Sequence, residues 1–421
     1  MNDMTLPAAA TIALHRPFDP MTLIQSRRHM GMLAREAYVG AEMYAADLET
    51  IWYREWLFVG HTVEIPADGQ FFTAQIGDYP ILVVRDEQGG INAFVNRCRH
   101  RGSRLCSQAQ GDVGRFVCPY HGWTYGLDGQ LLHAAHMGEG FTREGKGLQR
   151  VHCHVSGIYI FVCLAATPAK SLQEFESELD RFLAPYALAD AKVIHQTTTV
   201  EDGNWKLVWE NNRECYHCDA NHPELMNSFQ ETLSVAAVDD PANEDERRFG
   251  ERCEAAGFPS RLSVADDGQH RIVRIPLAGQ TVSQTLDGRL AVANHLLADT
   301  RGLNTGNLLY FHYPNTWNHV MPDYMITFRV LPVAADKTEV TTKWLVHGQA
   351  QEGRDYQLRD VIAVWEATNA QDARLVAECH AGIRAPGFDP GCFSPLVENG
   401  PAQWVDWYCR RFAENWARRV G

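Results

Sequence analysis

The chain has 421 residues, enough for two domains, and its 45% hydrophobic and 10% aromatic content suits a packed globular protein. A formal net charge of −14 sets its surface against polyanions, which argues against nucleic acid and leaves room for a cationic or zwitterionic small substrate. No apolar run approaches the roughly 20 residues that cross a bilayer, the start lacks a basic region followed by an apolar core, and eleven scattered cysteines read as reduced thiols, so the expected compartment is the cytoplasm.

In chain order, residues 1–45 form a polar, partly helical segment, and Leu48, Ile51 and Trp52 open an amphipathic stretch. From about Trp56 the texture changes. FFTAQIGDYPILVVRDEQGGINAFVN alternates short strands with Gly-containing turns, the spacing of a small antiparallel β domain. That texture runs to GIYIFVCL at 157–164, and a Pro-containing break then leads into a helix, so domains are expected at 46–165 and 166–421. Beyond the boundary, LLYFHYPNTWNHVMPDYMITFRVLP and TEVTTKWLVHG read as long strands and RDVIAVWEATNAQDARLVAECHAGI as a helix. The expected fold class is α+β: an all-β domain followed by an antiparallel sheet gripping helices.

The densest signal in the first domain is NRCRHRGSRLC followed by RFVCPYHGWTYGLDG. Cys98 and His100 form one short loop, Cys118 and His121 another. Each offers a thiolate and an imidazole. Soft thiolates suit iron with sulfide, and two neutral imidazoles on one iron raise the potential of the cluster. Cys₂His₂ also satisfies tetrahedral zinc, but zinc sites more often pair C-x₂₋₄-C with H-x₃₋₅-H. Cys106 lacks a spacing partner and reads as a buried apolar residue.

The second cluster is NWKLVWENNRECYHCDANHPEL, with Glu214, His217 and His222. On one helix the two histidines would stand about 140° apart. Pro223 forces His222 out of helical geometry, so His217 is expected on a helix and His222 on the segment that leaves it. Two imidazoles and one carboxylate make the facial triad of non-haem ferrous iron. Asp372 is the expected carboxylate, with Glu378, about 240° round the same helix, as its competitor.

The pattern C-x-H-R-G-x-x-L with C-P-Y-H-G-W-x-Y resembles the Rieske [2Fe–2S] domain of ring-hydroxylating-type oxygenases. That resemblance implies an all-β Rieske domain holding the cluster through Cys98, His100, Cys118 and His121, with the cysteines on the inner iron. It also implies a helix-grip catalytic domain holding mononuclear Fe(II), against which the segment 1–45 packs. A carboxylate three residues before the first iron histidine links it, in this family, to the Rieske histidine of a neighbouring subunit, and Glu214 occupies that position. Glu rather than Asp there, with GNWKLVWENNRECYHC, FHYPNTWNH, TEVTTKWLVH and WVDWYC, is similar to the branch that demethylates glycine betaine and stachydrine.

The implied reaction is N-demethylation of a quaternary ammonium carboxylate, glycine betaine first: an N-methyl carbon is hydroxylated and the hemiaminal collapses to formaldehyde and the shortened amine. Stachydrine, a carnitine-like or choline-type substrate, or aromatic-ring hydroxylation on the same scaffold are the alternatives within enzymes. An electron-transfer or zinc-stabilised binding protein without oxygen chemistry is the alternative outside them. A quaternary ammonium is held by aromatic faces, and Phe311, Tyr313 and Trp317 are the expected cage. The chain has no Gly-rich dinucleotide fingerprint, so a separate reductase is expected to supply electrons, and the resemblance implies that it is an NAD(P)H-dependent flavin and iron–sulfur protein. The resemblance further implies a homotrimer.

Overall fold

The computed structural model describes residues 18–229 and 244–420, so residues 1–17 of the expected N-terminal segment lie outside the described residues. Strands Leu57–His61 through Tyr159–Cys163 build the first domain as a seven-stranded antiparallel sheet. A small three-stranded sheet, Phe116–Val117, Thr124–Tyr125 and Leu131–His133, sits beside it and frames the second Cys–His loop. Phe71, Leu82, Phe94, Trp123 and Tyr125 pack beneath the two loops as a separate apolar cluster.

The second domain is built on another seven-stranded antiparallel sheet. Its order is Ala191–Glu201, Lys337–His347, Met325–Ala334, Thr316–Val320, Asn307–His312, His270–Ile275 and Ser263–Val264. The run 308–332, read as long strand, is thus parts of three strands joined by turns, because Pro314 and Pro322-Asp323 interrupt the ladder. The inner strands of this sheet, from His270–Ile275 to Lys337–His347, are buried along most of their length, Thr316–Val320 at every position, whereas Ala191–Glu201 and Ser263–Val264 are largely accessible. Trp205–Asn212 packs on Met325–Ala334 and Lys337–His347, the long helix Leu358–Arg384 packs on Ala191–Glu201, and the C-terminal helix Asn399–Val420 packs on Trp205–Asn212.

Local chemistry sets these helices. Asn204 caps Trp205–Asn212 by accepting the Lys206 N–H with its side chain. In Gln173–Leu183 the buried Phe175, Leu179, Phe182 and Leu183 recur at helical spacing, with Glu174 and Glu176 in the first turn and Arg181 in the last, as the helix dipole favours. Gly203 lets the turn before Trp205 lie on the long helix: a Cβ there would meet Val376 Cγ1 at 2.4 Å.

The N-terminal helical segment runs past residue 45. Helical backbone continues through Ala41–Asp47 into a wider turn at Leu48–Trp52, because Ile51 and Trp52 are fully buried and Trp52 meets Trp205 edge-on at 5.0 Å. Lys206, buried, bonds Asp47 and the Ala37 carbonyl (2.9 Å), tying the segment to the catalytic helices. Removing one partner of such a buried pair typically costs about 3–5 kcal/mol. The two domains are also joined directly. Asn315 accepts from Phe58 N (2.9 Å) and donates to Phe58 O (2.8 Å), and Arg329 donates to Val59 O at 2.9 Å.

Candidate metal centres and the cavity between them and the sheet

The two Cys–His loops are near copies of one another. Gly102 N–H donates to Cys98 O and Gly122 N–H to Cys118 O, each at 3.0 Å, and both glycines take positive φ (79° and 72°). Such turns close easily only at glycine. Cys98 N–H and Cys118 N–H are also tied back, to Ser103 O and Trp123 O at 2.8 Å. Both cysteines are buried, while His121 is exposed and His100 half-buried. The ring centroids of His100 and His121 stand 4.6 Å apart, His100 stacks on Trp123 and His121 on Tyr120. Two thiols inside and two imidazoles at the tip suit a cluster with unlike irons. Tyr125 OH accepts the Arg99 N–H (3.0 Å) and lies 3.2 Å from Cys98 Sγ. Cys106 is half-buried on the same apolar cluster, and burial pushes its thiol up to about 11.

The catalytic-domain cluster gathers at the end of Trp205–Asn212. That helix stops at Asn212, so His217 is not inside it as expected; His217 instead precedes the short helix Cys218–Asn221, and the chain turns at Arg213–Glu214. His222 has the non-helical geometry expected before Pro223 (φ −121°, ψ 63°). Asp372 Oδ1 stands 3.3 Å from His217 Nε2 and 3.1 Å from His222 Nε2. Separations near 3 Å are what donor atoms adopt around one ion with bonds of about 2.1 Å. His222 Nε2 and Asp372 Oδ1 are buried without a properly directed hydrogen bond among the described residues, which leaves both atoms for a metal. Glu378 is exposed on the long helix, away from this group.

The outer nitrogens of both imidazoles are engaged. Glu214 Oε1 lies 2.5 Å from His217 Nδ1, and Gln371 Oε1 lies 2.8 Å from His222 Nδ1 while its amide donates to Glu224 at 2.8 Å. Each contact aims the other nitrogen at Asp372. Burial opposes protonation of His217, yet Asp372 and Glu214 outweigh it and hold the group up at about 10. Burial likewise works to raise Asp372, and the two imidazoles keep it below its ordinary value. A metal held by these atoms would replace those protons, as neutral imidazole must be the ligand.

A cavity of about 160 Å³ opens beside these atoms, lined by Arg213, Arg271, Phe311, Trp317, Trp365 and the cluster itself. It is smaller than the roughly 300–1,000 Å³ of sites for drug-sized ligands. Of the expected cage, Trp317 and Phe311 line it, being cross-strand partners that share a face. Tyr313 does not: it lies in the turn beyond the ladder, and its hydroxyl accepts from Arg213 Nε at 3.0 Å. Phe311 carries the Arg213 guanidinium over its ring at 4.2 Å, so that face is taken. Sequence reasoning missed Trp365, although Trp365, Thr368 and Asp372 follow helical spacing and all three line the cavity. It also missed Gln371, Arg213, Arg271 and Glu201. Glu201 lines a smaller cavity shared with Asp372; it is 6% exposed, and burial, with Asp372 adding, pushes its carboxyl up to about 8.

Family models match both halves: a Rieske [2Fe-2S] domain at residues 55–154 and the ring hydroxylating alpha subunit (catalytic domain) at 188–414. The chain belongs to the Rieske non-haem iron oxygenases as an alpha subunit, an enzyme carrying a Rieske cluster and mononuclear iron and served by a separate reductase. Within that class it is 40% identical to the glycine betaine monooxygenase oxygenase subunit of Pseudomonas aeruginosa (strain UCBPP-PA14), over 97% of each chain. It is 44% identical to the subunit of that name from Chromohalobacter salexigens, over 92% of this chain and 87% of the other. The fold matches a quaternary ammonium Rieske monooxygenase crystallised with L-carnitine (TM-score 0.70, 18% identity, 93% of this chain and 99% of the other). Naphthalene 1,2-dioxygenase from Rhodococcus sp. matches it at TM-score 0.67 and 18% identity, over 93% of this chain and 98% of the other. No helix among the described residues is long and apolar enough to cross a membrane.

Proposed function

We propose that this chain is the oxygenase component of a monooxygenase that removes one N-methyl group, as formaldehyde, from a quaternary ammonium carboxylate, glycine betaine first. The carrying observation is the near-full-length likeness to two glycine betaine monooxygenase subunits. The small cavity lined by two indoles beside the donor triad fits it, since trimethylammonium is drawn to aromatic rings by about 0.5–2 kcal/mol each.

In this reading Cys98, His100, Cys118 and His121 hold the cluster, and His217, His222 and Asp372 hold the iron. Bound there, the metals supply electron delivery and dioxygen activation. The chain's own part is positional. Glu214 orients His217, Gln371 orients His222, and Trp317 and Trp365 set the ammonium against the triad. Exposed Tyr120 beside His121, and exposed Tyr216 beside Glu214, support a head-to-tail homotrimer in which the Rieske tip of one subunit reaches Glu214 of the next. A flavin and iron–sulfur protein is the reductase we infer, working with this subunit in the cytoplasm.

The test is formaldehyde release by purified enzyme with a surrogate reductase, across glycine betaine, stachydrine, carnitine and choline. Glycine betaine is expected to give the highest kcat/KM. Absence of formaldehyde from all four, in protein with full iron and sulfide content, would falsify the proposal.

A further inference from the structure

We infer that Arg213 is the anchor for the substrate carboxylate, and so the residue by which the enzyme prefers a betaine to an uncharged-tail amine such as choline. The inference rests on the betaine reading above and deepens it.

Arg213 is held in place by its own neighbours. Its Nε donates to Tyr313 OH at 3.0 Å and its guanidinium plane lies 4.2 Å from the centroid of Phe311. Neither partner is anionic. Its Nη2 is buried with no hydrogen-bonding partner among the described residues, and no carboxylate pairs with it there. A guanidinium N–H buried without an acceptor is costly, and an arriving carboxylate oxygen removes that cost. Planar Arg offers a carboxylate two parallel N–H donors, which a lysine cannot.

The charges in the cavity agree. Among the described residues its two carboxylates are engaged, Glu214 by His217 and Asp372 by His217 and His222. Arg271, 6% exposed, brings a second guanidinium to the same cavity, and it faces Phe311 across the strand pair. Arg213 thus makes one wall of the cavity cationic. Trp317 and Trp365 make another that is aromatic. A zwitterion of a few heavy atoms satisfies both, with the ammonium on the indoles and the carboxylate on Arg213. Phe311 and Tyr313 then serve as supports for Arg213 rather than as a cage.

The experiment is calorimetric binding to the iron-loaded, full-length protein, with glycine betaine and choline as probes, for wild type, Arg213→Gln, Arg213→Lys and Tyr313→Phe. Melting temperature and iron content are checked for each. Loss of a charge-assisted contact predicts a Kd for glycine betaine about 10- to 100-fold weaker in Arg213→Gln. The betaine-over-choline preference should fall by the same factor. Arg213→Lys should recover part of it, and Tyr313→Phe should weaken betaine binding severalfold through a less fixed guanidinium. If Arg213→Gln fails to fold, Tyr313→Phe and Arg213→Lys decide, and unaltered preference in both overturns the anchor. Wild type binding betaine with Arg213→Gln binding it equally overturns the anchor alone. Wild type binding neither probe overturns the substrate reading and the anchor with it.

Discussion

Glu214 and His217 are bonded side chain to side chain, Oε1 to Nδ1 at 2.5 Å, while the second oxygen of the same carboxylate accepts the backbone N–H groups of Tyr216 and His217. The carboxylate therefore fixes both the imidazole and the turn that presents it. It sits where the chain has left the helix Trp205–Asn212, beside exposed Tyr216.

Glu214→Gln should leave cluster and iron content near those of the wild type and lower turnover about 10- to 100-fold, the usual cost of altering a ligand's hydrogen-bond partner. Metal analysis beside steady-state formaldehyde release checks this. Equal loss of iron and of turnover would show a role in metal retention instead.

Gln371 is the matching support for His222. Replacing it with Leu keeps the side-chain bulk but removes the acceptor 2.8 Å from His222 Nδ1. Iron affinity, read by competition with a chelator, should fall about tenfold or more. The Rieske absorbance should not change, which separates a local loss from general unfolding.

Tyr125→Phe removes the hydroxyl 3.2 Å from Cys98 Sγ. A donor to a cluster ligand stabilises the reduced, more negative state, so its loss lowers the potential. Each 1.4 kcal/mol of lost stabilisation corresponds to about 60 mV for one electron. Spectroelectrochemical titration gives the shift, and an unmoved or raised potential refutes the contact.

His312 and His270 are cross-strand partners in the buried sheet, stacked at 6.4 Å. Burial, with His270 adding, holds His312 down at about 3, and burial holds His270 down at about 4, although Asp267 and Glu178 act to raise it. The unfolded chain takes up these protons near pH 6.5. Stability is therefore full above that pH and lost as pH falls toward 3–4, by at most about 1.4 kcal/mol per pH unit for each group. His312→Gln should flatten the dependence of denaturation midpoint on pH between 4.5 and 6.5. Parallel curves for variant and wild type would sink the assignment.

Much of the site was legible because its ligands come in short runs. Two residues joined by a tight loop, such as Cys98 and His100, must converge whatever the rest of the chain does, and Pro223 told where His222 leaves the helix. Asp372 lies about 150 residues further on, where triad chemistry calls for a carboxylate but no spacing ties it to the two histidines. Gln371, Arg213 and Arg271 stayed hidden because nothing local marks them; they meet the site only when the long helix and the strand His270–Ile275 dock against Trp205–Asn212. Trp365 was within reach of helical periodicity from Asp372. Tyr313 was chosen for its closeness in sequence to Phe311, but the turn carries it out of the strand alternation that keeps Phe311 and Trp317 on one face. The fold class followed from turn spacing, whereas the break of 307–334 into three strands depends on its turns.

The Asn315 amide grips both the N–H and the carbonyl of Phe58, with Arg329 on Val59 and Lys343 on Glu64 nearby. Held at these points on and just beyond the strand Leu57–His61, the iron–sulfur module is fastened to its own catalytic half. In the proposed head-to-tail trimer, the timing of electron arrival then falls to subunit contacts and to Glu214, and a change in the stiffness of this seam is expected to be felt in assembly before it is felt in chemistry.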